Sequence, residues 1–158
     1  YVFSSFTTNG FRGGSGIKDV EIPQGVESVG IMAFSNCNEL RCVELPESLR
    51  ELKTGAFQYC RALEKVVFKN DLTPILGGVF KTEKGYLSKS VFYGYYGYYD
   101  EELDSFIEIE GLPENCKIYV PDQSFEAYRT SFGKHAMQED GVDTYSDKIF
   151  RLSEMSAA

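Results

Sequence analysis

Val20-Glu-Ile-Pro-Gln-Gly-Val-Glu-Ser-Val-Gly-Ile-Met-Ala-Phe-Ser-Asn-Cys-Asn-Glu-Leu-Arg-Cys42 runs directly into Val43-Glu-Leu-Pro-Glu-Ser-Leu-Arg-Glu-Leu-Lys-Thr-Gly-Ala-Phe-Gln-Tyr-Cys-Arg-Ala-Leu-Glu-Lys65. The two stretches match at Val20/Val43, Glu21/Glu44, Ile22/Leu45, Pro23/Pro46, Val26/Leu49, Val29/Leu52, Ala33/Ala56, Phe34/Phe57, Cys37/Cys60 and Leu40/Leu63, always 23 residues apart. A fixed period of this size is the mark of a solenoid, in which each unit buries its apolar face against its neighbours.

Each copy opens on a strand pattern. In Ile17-Lys-Asp-Val20-Glu-Ile22, Leu40-Arg-Cys-Val43-Glu-Leu45 and Leu63-Glu-Lys-Val66-Val-Phe68, apolar residues alternate with outward positions at a period of two. Glu21, Glu44 and Val67 are therefore expected to face outward. Pro23 and Pro46 end their strands, because proline lacks the backbone donor that a ladder needs. A second short extended piece is expected around Val29, Leu52 and Ile75. Gly-Ala-Phe-Gln-Tyr-Cys and its counterparts are then expected to form a single helical or 3-10 turn that drops a phenylalanine into the core.

Run backwards, the register places Phe3, Phe6, Gly10, Phe11 and Ile17 in an earlier coil. Residues 1–19 are then a partial coil, and the chain is expected to be part of a longer protein. Run forwards, it places Val66, Phe68, Leu72, Ile75, Val79 and Phe80 in the core, with Lys69 in the proline position and Glu83 in the cysteine position. Phe11, Phe34, Phe57 and Phe80 make one structural column, and Cys37 and Cys60 a second. The expected fold is a β-rich repeat solenoid: about four coils of 23 residues, with short parallel strands and single helical turns.

Residues 20–85 carry the repeats, and at Tyr86 the pattern weakens. Tyr93-Gly-Tyr-Tyr-Gly-Tyr-Tyr-Asp100-Glu-Glu-Leu-Asp104 fits no part of the unit, so 86–106 reads as an inserted hairpin or extended loop. Phe106-Ile-Glu-Ile109 and Lys117-Ile-Tyr-Val-Pro121 read as last strands. A short helix follows, capped by Asp122 or Ser124, with Phe125, Tyr128 and Phe132 on one face. Residues 107–158 thus make the last strands and a C-terminal cap, with Glu154 to Ala158 expected to be disordered. The whole of 1–158 is one domain.

With 24 acidic against 16 basic residues the net charge is −8, which disfavours a general binder of nucleic acid or of anionic membrane. No run of 18 apolar residues is present to insert directly into a membrane. The four cysteines are Cys37, Cys42, Cys60 and Cys116. Cys37 and Cys60 hold equivalent places and read as a buried ladder of small hydrophobes. Successive coils lie about 4.8 Å apart, a spacing that also leaves a bridge between them open. Cys42 falls at an outward position with nothing near it in sequence to lower its pKa.

The unit Ile-Pro-x-x-Val-x-x-Val-Gly-x-x-Ala-Phe-x-x-Cys-x-x-Leu, at Ile22 to Leu40 and again at Leu45 to Leu63, resembles the BspA-like class of leucine-rich repeats. The resemblance covers residues 17–80 and reaches back to about Phe3. Lys117-Ile-Tyr-Val-Pro121, Phe125-Glu-Ala-Tyr128 and Tyr145-Ser-Asp-Lys-Ile149 resemble the way such arrays end. The resemblance implies a right-handed solenoid, found mostly in large cell-surface or secreted proteins of host-associated bacteria. It implies adhesion or protein binding, with no catalytic motif, no cofactor and no enzymatic role.

Beside that resemblance, the residues themselves offer one candidate contact surface. Tyr93, Tyr95, Tyr96, Tyr98 and Tyr99 supply large contact area with hydroxyls at low entropic cost. They suit a protein ligand, such as a host surface or matrix protein, or the ring of a glycan; the plainer alternative packs them on the solenoid flank. The outward row led by Glu21 and Glu44 lacks exposed aromatics and reads as a solvated face. Asp100, Glu101, Glu102 and Asp104 match no calcium loop, and Asp140, Asp143 and Asp147 are read the same way. His135 is the one histidine and has no nucleophile motif beside it. Gly13-Gly-Ser-Gly16 is a turn of the repeat, without the lysine and strand-to-helix context of a phosphate loop. A structural spacer that displays another domain is the reading in a different class.

Overall fold

A computed structural model of the protein describes the chain except residues 1–4, 7–9, 12, 15, 54, 58–59, 77–79, 82–86, 89–96, 101, 103–104, 109–114, 135–147 and 156–158. For residues 5–6, 76, 80–81, 87–88, 97–100, 105–108 and 132–134 the description is of the backbone alone.

The first half alternates two kinds of strand. The leading strands are β2 (Asp19–Glu21), β4 (Cys42–Leu45) and β6 (Lys65–Phe68), and the second pieces are β1 (Ser5–Phe6), β3 (Ser28–Val29), β5 (Glu51–Leu52) and β7 (Ile75–Leu76). Then come β8 (Phe80–Lys81), β9 (Leu87–Ser88), β10 (Gly97–Asp100), β11 (Ser105–Glu108), β12 (Lys117–Val120), α1 (Phe125–Lys134) and β13 (Ile149–Arg151). Two parallel sheets result. One has the order β13-β12-β6-β4-β2 and the other β1-β3-β5-β7. Val20, Val43, Val66, Ile118 and Ile149 lie side by side across the larger sheet.

Between the sheets runs a continuous core that includes Ile22, Leu40, Leu45, Leu49, Leu52, Leu63 and Phe68. The Phe11 and Phe34 rings stack with centroids 5.0 Å apart, and Phe34 and Phe57 follow at 5.2 Å. The turns carrying these rings are tied coil to coil, since the Phe11 and Phe34 amides donate to the Ala33 and Ala56 carbonyls. Two positions in those turns need a left-handed backbone. Met32 (φ 54) and Gly55 (φ 69) are equivalent residues in successive coils, as are Gly13 (φ 71) and Asn36 (φ 60). The turn geometry therefore repeats even where the sequence does not supply glycine.

Polar side chains add a second tie. The Ser48 hydroxyl accepts from the Gly25 amide at 2.9 Å and donates to the Val26 carbonyl at 2.8 Å. One coil later the Asn70 amide donates to the Leu49 carbonyl at 2.6 Å.

The 23-residue register holds through Leu45 beside Phe68 and then slips. Leu52 pairs with Leu76, 24 positions on, so one residue has been added after β6. This corrects the expectation for Leu72 and Ile75. The slip turns them away from the core, and they are 78% and 65% exposed. Phe80 does not sit in a coil turn either. It begins β8, which pairs antiparallel with β9, and its side chain lies outside the described residues, as does Val79.

Two further expectations are corrected. Ser105–Glu108 is not a solenoid strand; it pairs antiparallel with Gly97–Asp100, setting Tyr98 beside Ile107 and Tyr99 beside Phe106. Val67 does not face solvent, for a reason given below. The main sheet passes straight from β6 to β12, with Lys65 beside Lys117 and Val66 beside Ile118, so residues 69–116 are an excursion from the sheet.

Helix α1 is entered through a 3-10 turn at Asp122–Ser124 without a side-chain cap. Asp122 instead accepts from the Ser153 amide at 3.0 Å, and these bonds to Ser153 hold its carboxyl below the usual carboxylate range. The Ser124 hydroxyl donates to the Asp71 carbonyl. Tyr128 is fully buried against Phe68 and donates its hydroxyl to the Asn70 carbonyl at 2.6 Å. The Arg151 guanidinium lies 4.0 Å from the Phe125 ring centroid. Phe132 has its side chain outside the described residues. Glu154, expected to be disordered, lies in a 3-10 turn and pairs with Arg151 at 3.4 Å; residues 156–158 are outside the description.

Truncating Phe57 to alanine removes the described end of the ring stack. It is expected to destabilise the protein by about 3–5 kcal/mol, the range for a buried aromatic. Urea unfolding of the wild type and the variant measures this, and an unchanged midpoint contradicts the stack as a stabilising element.

Candidate functional site

Strand alternation gives the larger sheet an outward face with two rows. Glu21, Glu44, Val67, Tyr119 and Phe150 make one by register. Asp19, Cys42, Lys65 and Lys117 make the other, and Lys148, one residue before the paired Ile149, extends it.

The face is divided in chemistry. Over β2 and β4 it is acidic and open: Asp19 and Glu21 are exposed and Glu44 is partly exposed. Glu21 is reached by Lys69 at 3.7 Å. Over β6, β12 and β13 it is basic and apolar. Val67 is 2% exposed and Tyr119 is 7% exposed, although both occupy outward positions. Tyr119 packs on Phe150 with centroids 6.0 Å apart, and the Lys117 ammonium lies 5.3 Å from the Phe150 ring centroid. Val67, whose outward row neighbour is Tyr119, is buried because an aromatic strand lies beside it where the repeat supplied glutamates.

The row led by Glu21 and Glu44 was expected to lack exposed aromatics; its extension onto β12 and β13 brings a buried Tyr119 and a partly exposed Phe150. Tyr119 and Phe150 were missed because the partner of β6 is 52 positions further on, Lys65 beside Lys117. The signal was present in Lys117-Ile-Tyr-Val-Pro121, where the alternation that buries Ile118 and Val120 turns Tyr119 outward.

The sequence-predicted tyrosines are placed only in part. Tyr98 and Tyr99 are successive residues of β10, whose backbone pairs with β11 opposite Ile107 and Phe106. Tyr93, Tyr95 and Tyr96 lie outside the described residues, as do His135, Asp140, Asp143 and Asp147.

The thiols are free. Cys37 and Cys60 are buried, and they donate from Sγ to the Phe11 and Phe34 carbonyls at 3.3 and 3.2 Å. Burial pushes the Cys60 and Cys116 thiols up to about 12, and it raises Cys37 as well. Cys42 is also raised, first by desolvation; Lys65 opposes the shift while Glu44, Asp19 and Glu64 reinforce it. None of these thiols is a thiolate nucleophile at neutral pH. Among the described residues no group of three or more His, Cys, Asp or Glu side chains could hold a metal ion, and no helix is long and apolar enough to cross a membrane.

Short parallel strands stacked coil on coil around a phenylalanine ladder define a leucine-rich repeat protein. The chain belongs to the BspA-type leucine-rich repeat family, whose model matches residues 4–95 in 6 copies. Among solved structures the chain is similar to the crystal structure of the pneumococcal vaccine antigen PcpA. The two are 18% identical with a TM-score of 0.38, over 82% of this chain and 39% of that one. No curated protein matches the sequence.

The buried thiols set a pH dependence. Cys60 and Cys116 stay protonated in the fold, whereas the unfolded chain ionises at the ordinary thiol value of 9.0. The contribution of these two thiols to stability is therefore constant below that value and falls as pH rises from it toward about 12. The slope approaches about 1.4 kcal/mol per pH unit for each thiol. Replacing Cys60 and Cys116 by alanine is expected to flatten the alkaline limb of a urea-midpoint profile; a limb of unchanged slope excludes the thiols as its source.

Proposed function

We propose that the chain is a non-enzymatic interaction module of a cell-surface or secreted protein, and that it binds a protein partner in an adhesive role. A host surface or matrix protein is the partner class this reading favours. The coils are taken as a right-handed solenoid of about four 23-residue units, with 107–158 as its last strands and C-terminal cap.

One observation carries the reading. The main sheet is continuous from β6 to β12, so sheet continuity does not require the chain between them, yet that chain supplies the β10–β11 ribbon and its tyrosines. A scaffold that closes beneath an added segment leaves that segment available for contact, and binding residues concentrate on such segments. Tyr93, Tyr95, Tyr96, Tyr98 and Tyr99 are the proposed contacts. In the spacer reading the same tyrosines contact nothing outside the chain.

The test compares the wild type with a variant in which all five tyrosines are serine, using immobilised matrix proteins and a glycan array. The expected result is binding to a protein surface that falls at least about tenfold in the variant, as for the loss of a few aromatic anchors. The melting temperature should stay unchanged. Retention on the glycan array in place of the protein surface reassigns the partner to carbohydrate. Binding that survives the substitutions removes the insertion from the site, and no binding by the wild type favours the spacer.

A further inference from the structure

The basic half of the sheet face contains an arrangement that the fold alone does not favour. Lys65 and Lys117 are direct register partners on neighbouring strands. Like charges side by side in a ladder are destabilising. The chain has 24 acidic residues, yet among the described residues neither ammonium is in an ion pair, whereas Arg50 pairs with Glu27, Lys69 with Glu21 and Arg151 with Glu154. Glu64 precedes Lys65 and pairs with neither. Lys148 extends the row just before the next strand begins at Ile149, and the partly exposed Phe150 ring sits beneath the Lys117 ammonium. That contact restrains a long side chain in place, so less freedom is lost when a counter-charge arrives.

We propose that Lys65 and Lys117, flanked by Lys148 and Phe150, bind a short acidic segment of a protein partner; this rests on the reading of the chain as a protein-interaction module. The dimensions select the partner. Three adjacent strands span about 10 Å of positive surface. Beyond them the face turns acidic at Glu44, Glu21 and Asp19, so a long polyanion such as a nucleic acid or a sulfated polysaccharide runs into like charge. Two or three carboxylates within one extended peptide stay inside the positive zone. An aromatic or aliphatic neighbour in that peptide meets Phe150, giving the site its specificity for sequence as well as for charge.

The test measures binding of the intact chain to fluorescent pentapeptides of equal length: Asp-Glu-Phe-Glu-Asp, its amide counterpart Asn-Gln-Phe-Gln-Asn, and Lys-Lys-Phe-Lys-Lys. A sulfated oligosaccharide of matched charge is included. The acidic peptide is expected to bind best, with affinity falling as salt rises from about 50 to 300 mM, as screened exposed charges require. In K65S/K117S the preference is expected to fall by about tenfold, the effect of losing two exposed charge pairs. The melting temperature of that variant should be no lower than wild type at low salt, because a like-charge pair has been relieved. In K65E/K117E the preference should pass to the basic peptide. Equal binding of acidic and amide peptides overturns the proposal, as does a preference untouched by K65S/K117S or tighter binding of the sulfated oligosaccharide. These outcomes are separate from the five-tyrosine test, since a partner held by the tyrosines alone preserves the module reading while removing the lysine site.

Discussion

The alignment of each coil's backbone donors with the carbonyls of the coil beside it is the constraint on which the rest depends. The Cys42 amide donates to the Lys18 carbonyl, Lys65 to Arg41 and Lys117 to Glu64, always at the same height along the strand. Once those bonds fix the height, equivalent side chains must lie one above another. The stacked phenylalanine rings, the valine row and the buried cysteine thiols follow from that single condition. Each coil buries apolar area only against its neighbours, so the stability of the array depends on contacts between adjacent units.

The same condition explains what was and was not legible in the sequence. From Val20 to Phe68 the period is unbroken, and the strand pairs, the rings of Phe34 and Phe57 and the buried leucines were all readable from it. Leu72 and Ile75 were misread because one added residue after β6 set the backbone of Leu76, not Ile75, beside Leu52; a single insertion reverses the faces of the residues before it. Ser105–Glu108 was misread because its apolar alternation suits any strand, and alternation does not name the partner.

The candidate surfaces were less legible for a related reason. A repeat forecasts the neighbours of a residue only while consecutive units are neighbours. Tyr119 has Val67 beside it, and the two belong to strands that the chain connects through a long detour. The aromatic and basic half of the sheet face exists only through that junction. Asn70 was equally opaque. Its amide ties back to the Leu49 carbonyl, its side-chain oxygen accepts from the Leu72 amide, and its own carbonyl receives the Tyr128 hydroxyl. One residue thus anchors the last regular coil and the helix that packs beyond it.

The direct pairing of β6 with β12 has a further consequence for how such a protein changes over generations. An ordinary coil returns to its next strand by a short path, and here that path has been replaced by residues 69–116 with the pairing between the strands intact. The junction tolerates length variation because the cost of closing a loop grows only slowly with its length. Segments of other composition can be exchanged there while the ladder on either side is inherited unaltered. The β6–β12 pairing thus separates the part of the chain that holds the sheet together from the part whose length and composition the sheet does not constrain.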